Sequence, residues 1–142
     1  MALAYHHSGK REYLHTAQQV ANFFLTRLPE DHVPHWDFRT SGATGDLRDT
    51  SAGACAASGL LLLAGQVNNS ESHVYRNGAM KILESLYRNY GSWENVEEEG
   101  LLLHGTSNYP ENRNIDVPLI YGDFFYVEAL ARVKEAGPFY WE

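Results

Sequence analysis

The residues best suited to chemistry lie in two stretches that are rich in turn-forming and aromatic side chains. The first holds the run His35-Trp36-Asp37-Phe38, and the second holds His104 and the run Asn108-Tyr109-Pro110. The flat face of Trp36 could stack on a sugar ring, or it could equally anchor its own loop in the core. His104 could serve as a general base, although a histidine without a positioned partner is more often structural.

Four aspartates in or beside these stretches could form a carboxylate pair of the kind that cleaves glycosidic bonds: Asp37, Asp49, Asp116 and Asp123. Their spacing alone brings no two of them to working distance. Asp49 and Asp123 each precede an apolar segment, where either is also suited to cap the first turn of a helix. No metal site is expected, because the histidines lack the i, i+4 spacing of two ligands on one helix face. Cys55, the single cysteine, lies among alanines and is expected to be a buried thiol.

The spacing of apolar residues predicts the helices that position these stretches. Two segments carry apolar residues on one face only, and two others are apolar on nearly every side. The one-sided segments are Lys10–Leu28 and Ser70–Tyr90. The segments that are apolar on nearly every side are Thr50–Ala64 and Asp123–Val133. Met1–His7 is predicted to be the tail of another apolar helix that stops near Gly9. The alternation predicts an all-α fold with an outer and an inner layer.

The lengths of the connections predict where the functional face lies. Inner helices lead to outer ones through short turns, whereas Pro29–Asp49 and Gly91–Gly122 lead back through long loops, and long loops in compact domains are usually functional. Antiparallel helices joined by short turns at one end must place their long loops at the other. Trp36, His104 and Tyr109 are therefore expected in one concave region, with the N–H groups of the inner-helix N-termini directed toward an anion.

Composition excludes several classes of partner. The 142 residues suit a single domain, and the net charge of −7, without any basic run, argues against a nucleic-acid partner. No apolar stretch reaches the roughly 18 residues of a membrane span. The first residues do not form a signal peptide, which favours the cytoplasm without fixing the compartment.

Five motifs follow one another through nearly the whole chain. They are Pro34-His35-Trp36-Asp37-Phe38, Arg48-Asp49-Thr50-Ser51-Ala52, Ala56-Ala57-Ser58-Gly59-Leu60, Glu99-Gly100-Leu101-Leu102-Leu103-His104-Gly105, and Tyr121-Gly122-Asp123-Phe124-Phe125 with Glu128-Ala129-Leu130. Any one of them is weakly specific. Together and in this order, they resemble the C-terminal part of the unsaturated glucuronyl hydrolases.

The resemblance implies a fold and a reaction. The family fold is a six-hairpin α/α toroid, so residues 1–142 are expected to form a single C-terminal fragment, about half of the barrel. The family removes a 4,5-unsaturated uronic acid from oligosaccharides by hydrating its vinyl-ether double bond, with an aspartate as acid and base. The resemblance implies no metal and no organic cofactor.

The resemblance also limits what this chain is expected to do. The two essential aspartates of the family lie upstream of the matched segment, so we expect no catalytic residue here and no activity from the isolated chain. The expected contribution is to the substrate-facing rim, with Tyr109 first, Trp36 next, and His104 beside them. The expected ligand is an unsaturated uronide oligosaccharide.

Three classes of function stay open from the sequence. The chain could be part of a glycoside hydrolase, a non-catalytic helical sugar-binding or interaction module, or an enzyme completed by another chain. Only two one-sided helices are available to cover the apolar ones, so we also predict self-association or marginal stability.

Overall fold

The helices follow the predicted order along the chain. The computed structural model describes residues 1–39, 46–137 and 139, and within them the extended segments pair only through isolated bridges. The five helices are α1 (Ala2–Ser8), α2 (Arg11–Arg27), α3 (Thr50–Ala64), α4 (Asn69–Asn89) and α5 (Ile120–Val133). The all-α prediction is confirmed. The predicted start of α5 at Asp123 is wrong, because the helix begins at Ile120.

Short-range signals set the ends of several helices. The Asp49 side chain accepts a hydrogen bond from the Ser51 N–H at 3.1 Å, which confirms it as the cap of α3. Asn68 caps α4 in the same way, through the Glu71 N–H at 3.1 Å. Gly9 ends α1 in the left-handed region, with a φ of 66°.

Helix α3 is the centre of the fold. It packs along α4 and α5, and α1 and α2 also contact it. The buried core is built mainly from side chains of α3, α4 and α5: Ala54, Ala57, Leu60, Leu63, Ala79, Ile82, Leu83, Leu86, Tyr126 and Ala129. At Gly122 a Cβ atom would lie 2.9 Å from the Cβ of Ser51, so this glycine is what lets α5 approach α3 closely. Gly122 is therefore a residue of the helix and not of the loop before it.

The apolar helices are not covered on every side. Cys55 of α3 is exposed, which corrects the expectation of a buried thiol. On α5, Ile120, Val127 and Leu130 are exposed as well. The expectation that α3 and α5 are apolar on nearly every side is thus matched by apolar residues that stay exposed on α5.

The two long loops fold into three narrow hairpins. By the first hairpin we mean the antiparallel pairing of residues 34–36 with 47–49, in which the Trp36 N–H donates to the Leu47 carbonyl at 2.9 Å. In the second hairpin, residues 90–103, the Leu103 N–H donates to the Tyr90 carbonyl at 2.8 Å. In the third hairpin, residues 105–117, Gly105 and Val117 exchange two N–H to carbonyl bonds of 2.9 Å.

Candidate functional site

The hairpins meet at the N-terminus of α3. The buried Thr50 bonds to both residues that join the second hairpin to the third. Its N–H donates to the His104 carbonyl at 3.2 Å, and its hydroxyl donates to the Leu103 carbonyl at 2.7 Å. The Thr106 N–H donates to Asp49 Oδ1 at 3.4 Å. These bonds join residues more than fifty positions apart. The prediction that both long loops lie at one end of the helices is confirmed.

Two aromatic rings link the first hairpin to the third. The ring centroids of Trp36 and Tyr109 lie 5.8 Å apart, with their planes tilted by 46°. Tyr109 is 40% exposed at the tip of the third hairpin, whereas Trp36 is half-buried. Trp36 is therefore neither wholly buried in the core nor fully exposed. Together the two rings form a partly exposed aromatic surface, and such a surface can stack on the apolar face of a sugar ring.

His104 has a partner that the sequence did not reveal. Its Nδ1 atom lies 2.6 Å from Asp116 Oδ1, and both side chains are about half exposed. Both residues have left-handed backbones, with φ values of 62° and 57°, a conformation that non-glycine residues adopt rarely. Backbone strain of this kind persists only where the surroundings impose it. The pair closes the base of the third hairpin, the same hairpin that carries Tyr109.

A second polar cluster stands next to this pair and was also missed from sequence. The Tyr90 hydroxyl donates to Asp31 Oδ2 at 2.6 Å, and Arg48 Nη2 lies 3.2 Å from the same oxygen. The Tyr90 ring meets the His104 ring edge to face, with centroids 5.9 Å apart. Burial, followed by the hydrogen bond to Asp31, raises the pKa of Tyr90 to about 12. The phenol therefore stays protonated and acts as a donor at neutral pH.

His104 lies in a cavity separate from the aromatic pair. This cavity of about 490 Å³ is lined by Asp46, Leu47, Arg48, Tyr90, His104 and Asp116. Neither Trp36 nor Tyr109 contributes to its lining. The three residues predicted for the site thus share one end of the molecule but occupy two adjoining surfaces.

The four candidate carboxylates serve separate structural purposes. Asp49 caps α3, and Asp116 pairs with His104. Asp123, predicted as a cap, instead lies in the first turn of α5, where its buried carboxylate accepts the N–H groups of Leu101 and Leu102. Asp37 binds Arg39, and this hydrogen bond lowers the pKa of the Asp37 carboxyl below its ordinary value. Each carboxylate therefore has bonding partners of its own rather than a second carboxylate.

The expectation for the inner-helix N-termini is partly wrong. In the first turn of α3, the N–H groups of Thr50, Ser51 and Gly53 donate to the His104 carbonyl, the Asp49 carboxylate and the Asp49 carbonyl. The chain itself therefore occupies the α3 terminus, which leaves those donors unavailable to an anion.

Among residues 1–39 and 46–137, no group of three His, Cys, Asp or Glu side chains is arranged to hold a metal ion. In the same part of the chain, none of the helices has the length and apolarity needed to cross a membrane.

Comparison with known proteins gives consistent matches. An unsaturated glucuronyl hydrolase of Bacillus sp. (strain GL1) is 34% identical over 142 residues, which are 99% of this chain and 38% of that protein. An unsaturated chondroitin disaccharide hydrolase of Streptococcus agalactiae serotype III (strain NEM316) is 35% identical over 124 residues, 86% of this chain and 31% of the relative. No protein family model matches the chain.

Solved structures agree with the sequence matches. The Bacillus sp. GL1 crystal structure superposes with a TM-score of 0.89 at 33% identity, covering 99% of this chain and 38% of that one. A mutant unsaturated glucuronyl hydrolase from Streptococcus agalactiae, complexed with dGlcA-GalNAc6S, superposes with a TM-score of 0.88 at 30% identity, covering 99% of this chain and 38% of that one.

The helices and hairpins thus define an all-α segment that matches part of an α/α toroid. The chain is homologous to part of the unsaturated glucuronyl hydrolases. It spans less than two fifths of the length of the relatives described above.

Proposed function

We propose that this chain forms part of the substrate-facing rim of an unsaturated glucuronyl hydrolase and holds an unsaturated uronide oligosaccharide against Trp36 and Tyr109. The observation that carries the proposal is the contact between these two rings, which joins the two long loops at one end of the helices. A solved relative is described as complexed with dGlcA-GalNAc6S, an oligosaccharide of the proposed class.

The proposal includes a finer description of the fold. Helices α1, α3 and α5 are the inner layer and α2 and α4 the outer layer of about half of a six-hairpin barrel. The central position of α3 and the short turn from α3 to α4 support this assignment. The hairpins then lie over the N-termini of the inner helices, at the open end of the barrel.

We further propose that the isolated chain does not hydrolyse the unsaturated uronide. Acid–base catalysis at the double bond needs a carboxyl group that is free to exchange a proton with the substrate. Asp49 instead accepts the Ser51 N–H at the start of α3, and Asp123 accepts the Leu101 and Leu102 N–H groups of the second hairpin. More than half of the length of each relative has no counterpart in this chain.

The test is binding of an unsaturated uronide disaccharide to the chain, measured by calorimetry. Tyr109→Ala should weaken binding about tenfold, since a stacked aromatic ring contributes roughly 1 kcal/mol beyond its buried area. Tyr109→Phe should retain most of the affinity, because the ring and not the hydroxyl makes the stack. Tyr13→Ala, at the far end of α2, is the matched control and should leave affinity unchanged.

Two results would contradict the proposal, and they address separate parts of it. Equal affinity of the wild-type chain and Tyr109→Ala would remove the rim assignment. Loss of the ultraviolet absorbance of the C4–C5 double bond, at an enzyme-like rate, would show that the isolated chain is catalytic. Binding without hydrolysis is also what a non-catalytic sugar-binding module would give. Restoration of hydrolysis by adding the rest of a glucuronyl hydrolase would separate these two functions.

A further inference from the structure

The third hairpin, residues 105–117, contacts the rest of the molecule at its tip and at its base. At the tip, Tyr109 meets Trp36 of the first hairpin, with ring centroids 5.8 Å apart. At the base, Thr106 is buried. Most of residues 107–116 between these contacts are exposed, so packing along the hairpin does not fix its direction. The direction must be set at the base.

Two residues with left-handed backbones stand on either side of the first pair of this hairpin. His104 lies just outside the Gly105–Val117 pair and Asp116 lies just inside it, with φ values of 62° and 57°. A residue other than glycine adopts this conformation rarely, and local interactions must hold it there. Because the two residues flank the first pair, their backbone angles set the direction in which the hairpin leaves the helices.

The bond between the two side chains has a definite donor. An ionised carboxylate only accepts, so Nδ1 of His104 carries the hydrogen and donates to Asp116 Oδ1 over 2.6 Å. Both side chains are about half exposed, so the pair contributes little to overall stability. Its effect is geometric, since it ties the residue outside the first pair of the hairpin to the residue inside it.

His104 also connects the third hairpin to the first. Its ring meets the Tyr90 ring edge to face, and the Tyr90 hydroxyl donates to the Asp31 carboxylate. Arg48 of the first hairpin binds the same carboxylate. The third hairpin is therefore connected to the first one twice, through Arg48 at its base and through Trp36 at its tip.

We propose that His104 and Asp116 are positioning residues for the aromatic pair, because their bond holds the third hairpin in the direction that brings Tyr109 against Trp36. Both residues line the cavity that excludes the two rings, so they act on the sugar through Tyr109 and not by direct contact. The inference rests on the proposed function in taking the aromatic pair as the sugar-binding surface. The contact between the rings is measurable without sugar, so the two proposals can fail separately.

The test uses exchanges at left-handed positions of the same hairpin. Glycine adopts this backbone without strain, so Asp116→Gly removes the bond and keeps the backbone angle accessible. Asp116→Asn keeps an oxygen that accepts from His104, in a residue type that tolerates the same backbone. Asn114→Gly, at a φ of 46°, is the matched control, because it makes a similar exchange away from the bond.

The first readout is the nuclear Overhauser effect between tryptophan and tyrosine rings in the chain without sugar. The signal between Trp36 and Tyr109 should fall by at least about half in Asp116→Gly, because the contact depends on the direction of the hairpin. It should persist in Asp116→Asn and in Asn114→Gly. Signals between Trp93 and its two neighbouring tyrosines arise outside the third hairpin and should stay constant in every variant.

The second readout is a double-mutant cycle of affinity for an unsaturated uronide disaccharide, measured by calorimetry. Asp116→Gly should weaken binding several-fold, up to the roughly tenfold loss expected for Tyr109→Ala. A residue that acts through Tyr109 loses its effect once that ring is absent. Asp116→Gly in a Tyr109→Ala background should therefore weaken binding no further, whereas a general loss of structure would weaken both backgrounds equally.

Several outcomes would overturn the positioning role. They are an unchanged ring contact in Asp116→Gly, the same loss of contact in Asp116→Asn or Asn114→Gly, and additive effects of Asp116→Gly and Tyr109→Ala on affinity. Loss of the helical circular dichroism in Asp116→Gly would overturn it too, since the pair would then serve overall stability. A wild-type chain that shows the ring contact but binds no disaccharide would refute the proposed function alone, and the ring-contact readout would then decide the positioning role.

Discussion

The strongest stability prediction concerns the buried carboxylate of Asp123, which ties the second hairpin to the start of α5. Asp123 is only 8% exposed. Its Oδ2 atom accepts from the Leu101 N–H at 2.9 Å, and its Oδ1 atom accepts from the Leu102 N–H at 3.0 Å. Asp123→Ala removes both acceptors and leaves two backbone donors without them.

The expected magnitude follows from these two bonds. An unsatisfied buried donor costs about 1–3 kcal/mol, and the Leu102 group lies deeper than the Leu101 group. Asp123→Ala should therefore lower the free energy of unfolding by about 2–5 kcal/mol, a large share of a total of about 5–15 kcal/mol. In a domain of this size the Tm should fall by about 10 °C. Asp123→Asn keeps one acceptor and should cost about half as much.

Urea unfolding followed by circular dichroism measures this difference. Glu84→Ala, which removes an exposed carboxylate from an ion pair on α4, is the control and should change stability by less than about 0.5 kcal/mol. Hydrogen exchange should show faster exchange of the Leu101 and Leu102 amides in Asp123→Ala. The reasoning is refuted if Asp123→Ala unfolds within about 1 kcal/mol of the wild type and leaves those two amides equally protected.

Two further predictions follow from perturbed titrations. Tyr90 has a folded pKa of about 12 against about 10 when unfolded, so the folded state retains the proton in that window. The free energy of unfolding should therefore fall as pH rises from about 10 to 12, and the fall should be smaller in Tyr90→Phe. Equal pH dependence of the two proteins would contradict the raised pKa of Tyr90, which burial causes first and the bond to Asp31 second. Although the Cys55 side chain is exposed at the surface, desolvation by the atoms around it, with the Glu128 and Asp49 carboxylates, raises the pKa of its thiol. Cys55 should react with iodoacetamide at neutral pH more slowly than a free cysteine, and an equal or faster rate would refute this.

The helices were predictable because their signals are local. Apolar residues at three- and four-residue spacing identify α2 and α4, and Asp49 and Gly9 lie at ends that their chemistry favours. The start of α5 was mispredicted because Gly122 was interpreted as a loop residue. Its real function is close packing against Ser51, which a sequence pattern does not report.

The site was predictable only in outline. The order of short and long connections was enough to bring Trp36 and Tyr109 to the same end of the molecule. The bond between Tyr90 and Asp31 joins residues 59 positions apart, and no local pattern encodes it. The His104–Asp116 pair depends on the left-handed backbone conformation of both residues. The polar turn residues before Asp116 were the one sequence signal for that conformation.

The pattern of charge at this end of the molecule limits what the rim can contribute to recognition of a uronide. The described arginines of the two long loops all have acidic partners: Arg39 with Asp37, Arg48 with Asp31, and Arg113 with Glu111. His104 is paired with Asp116, and the first N–H groups of α3 are occupied by the chain itself. A substrate carboxylate would therefore find no unpaired cation on the described part of this rim, whereas the ring face of Tyr109 remains accessible. We infer that, in the proposed complex, this chain supplies stacking on the sugar, and that groups outside the chain neutralise the charge of the uronate.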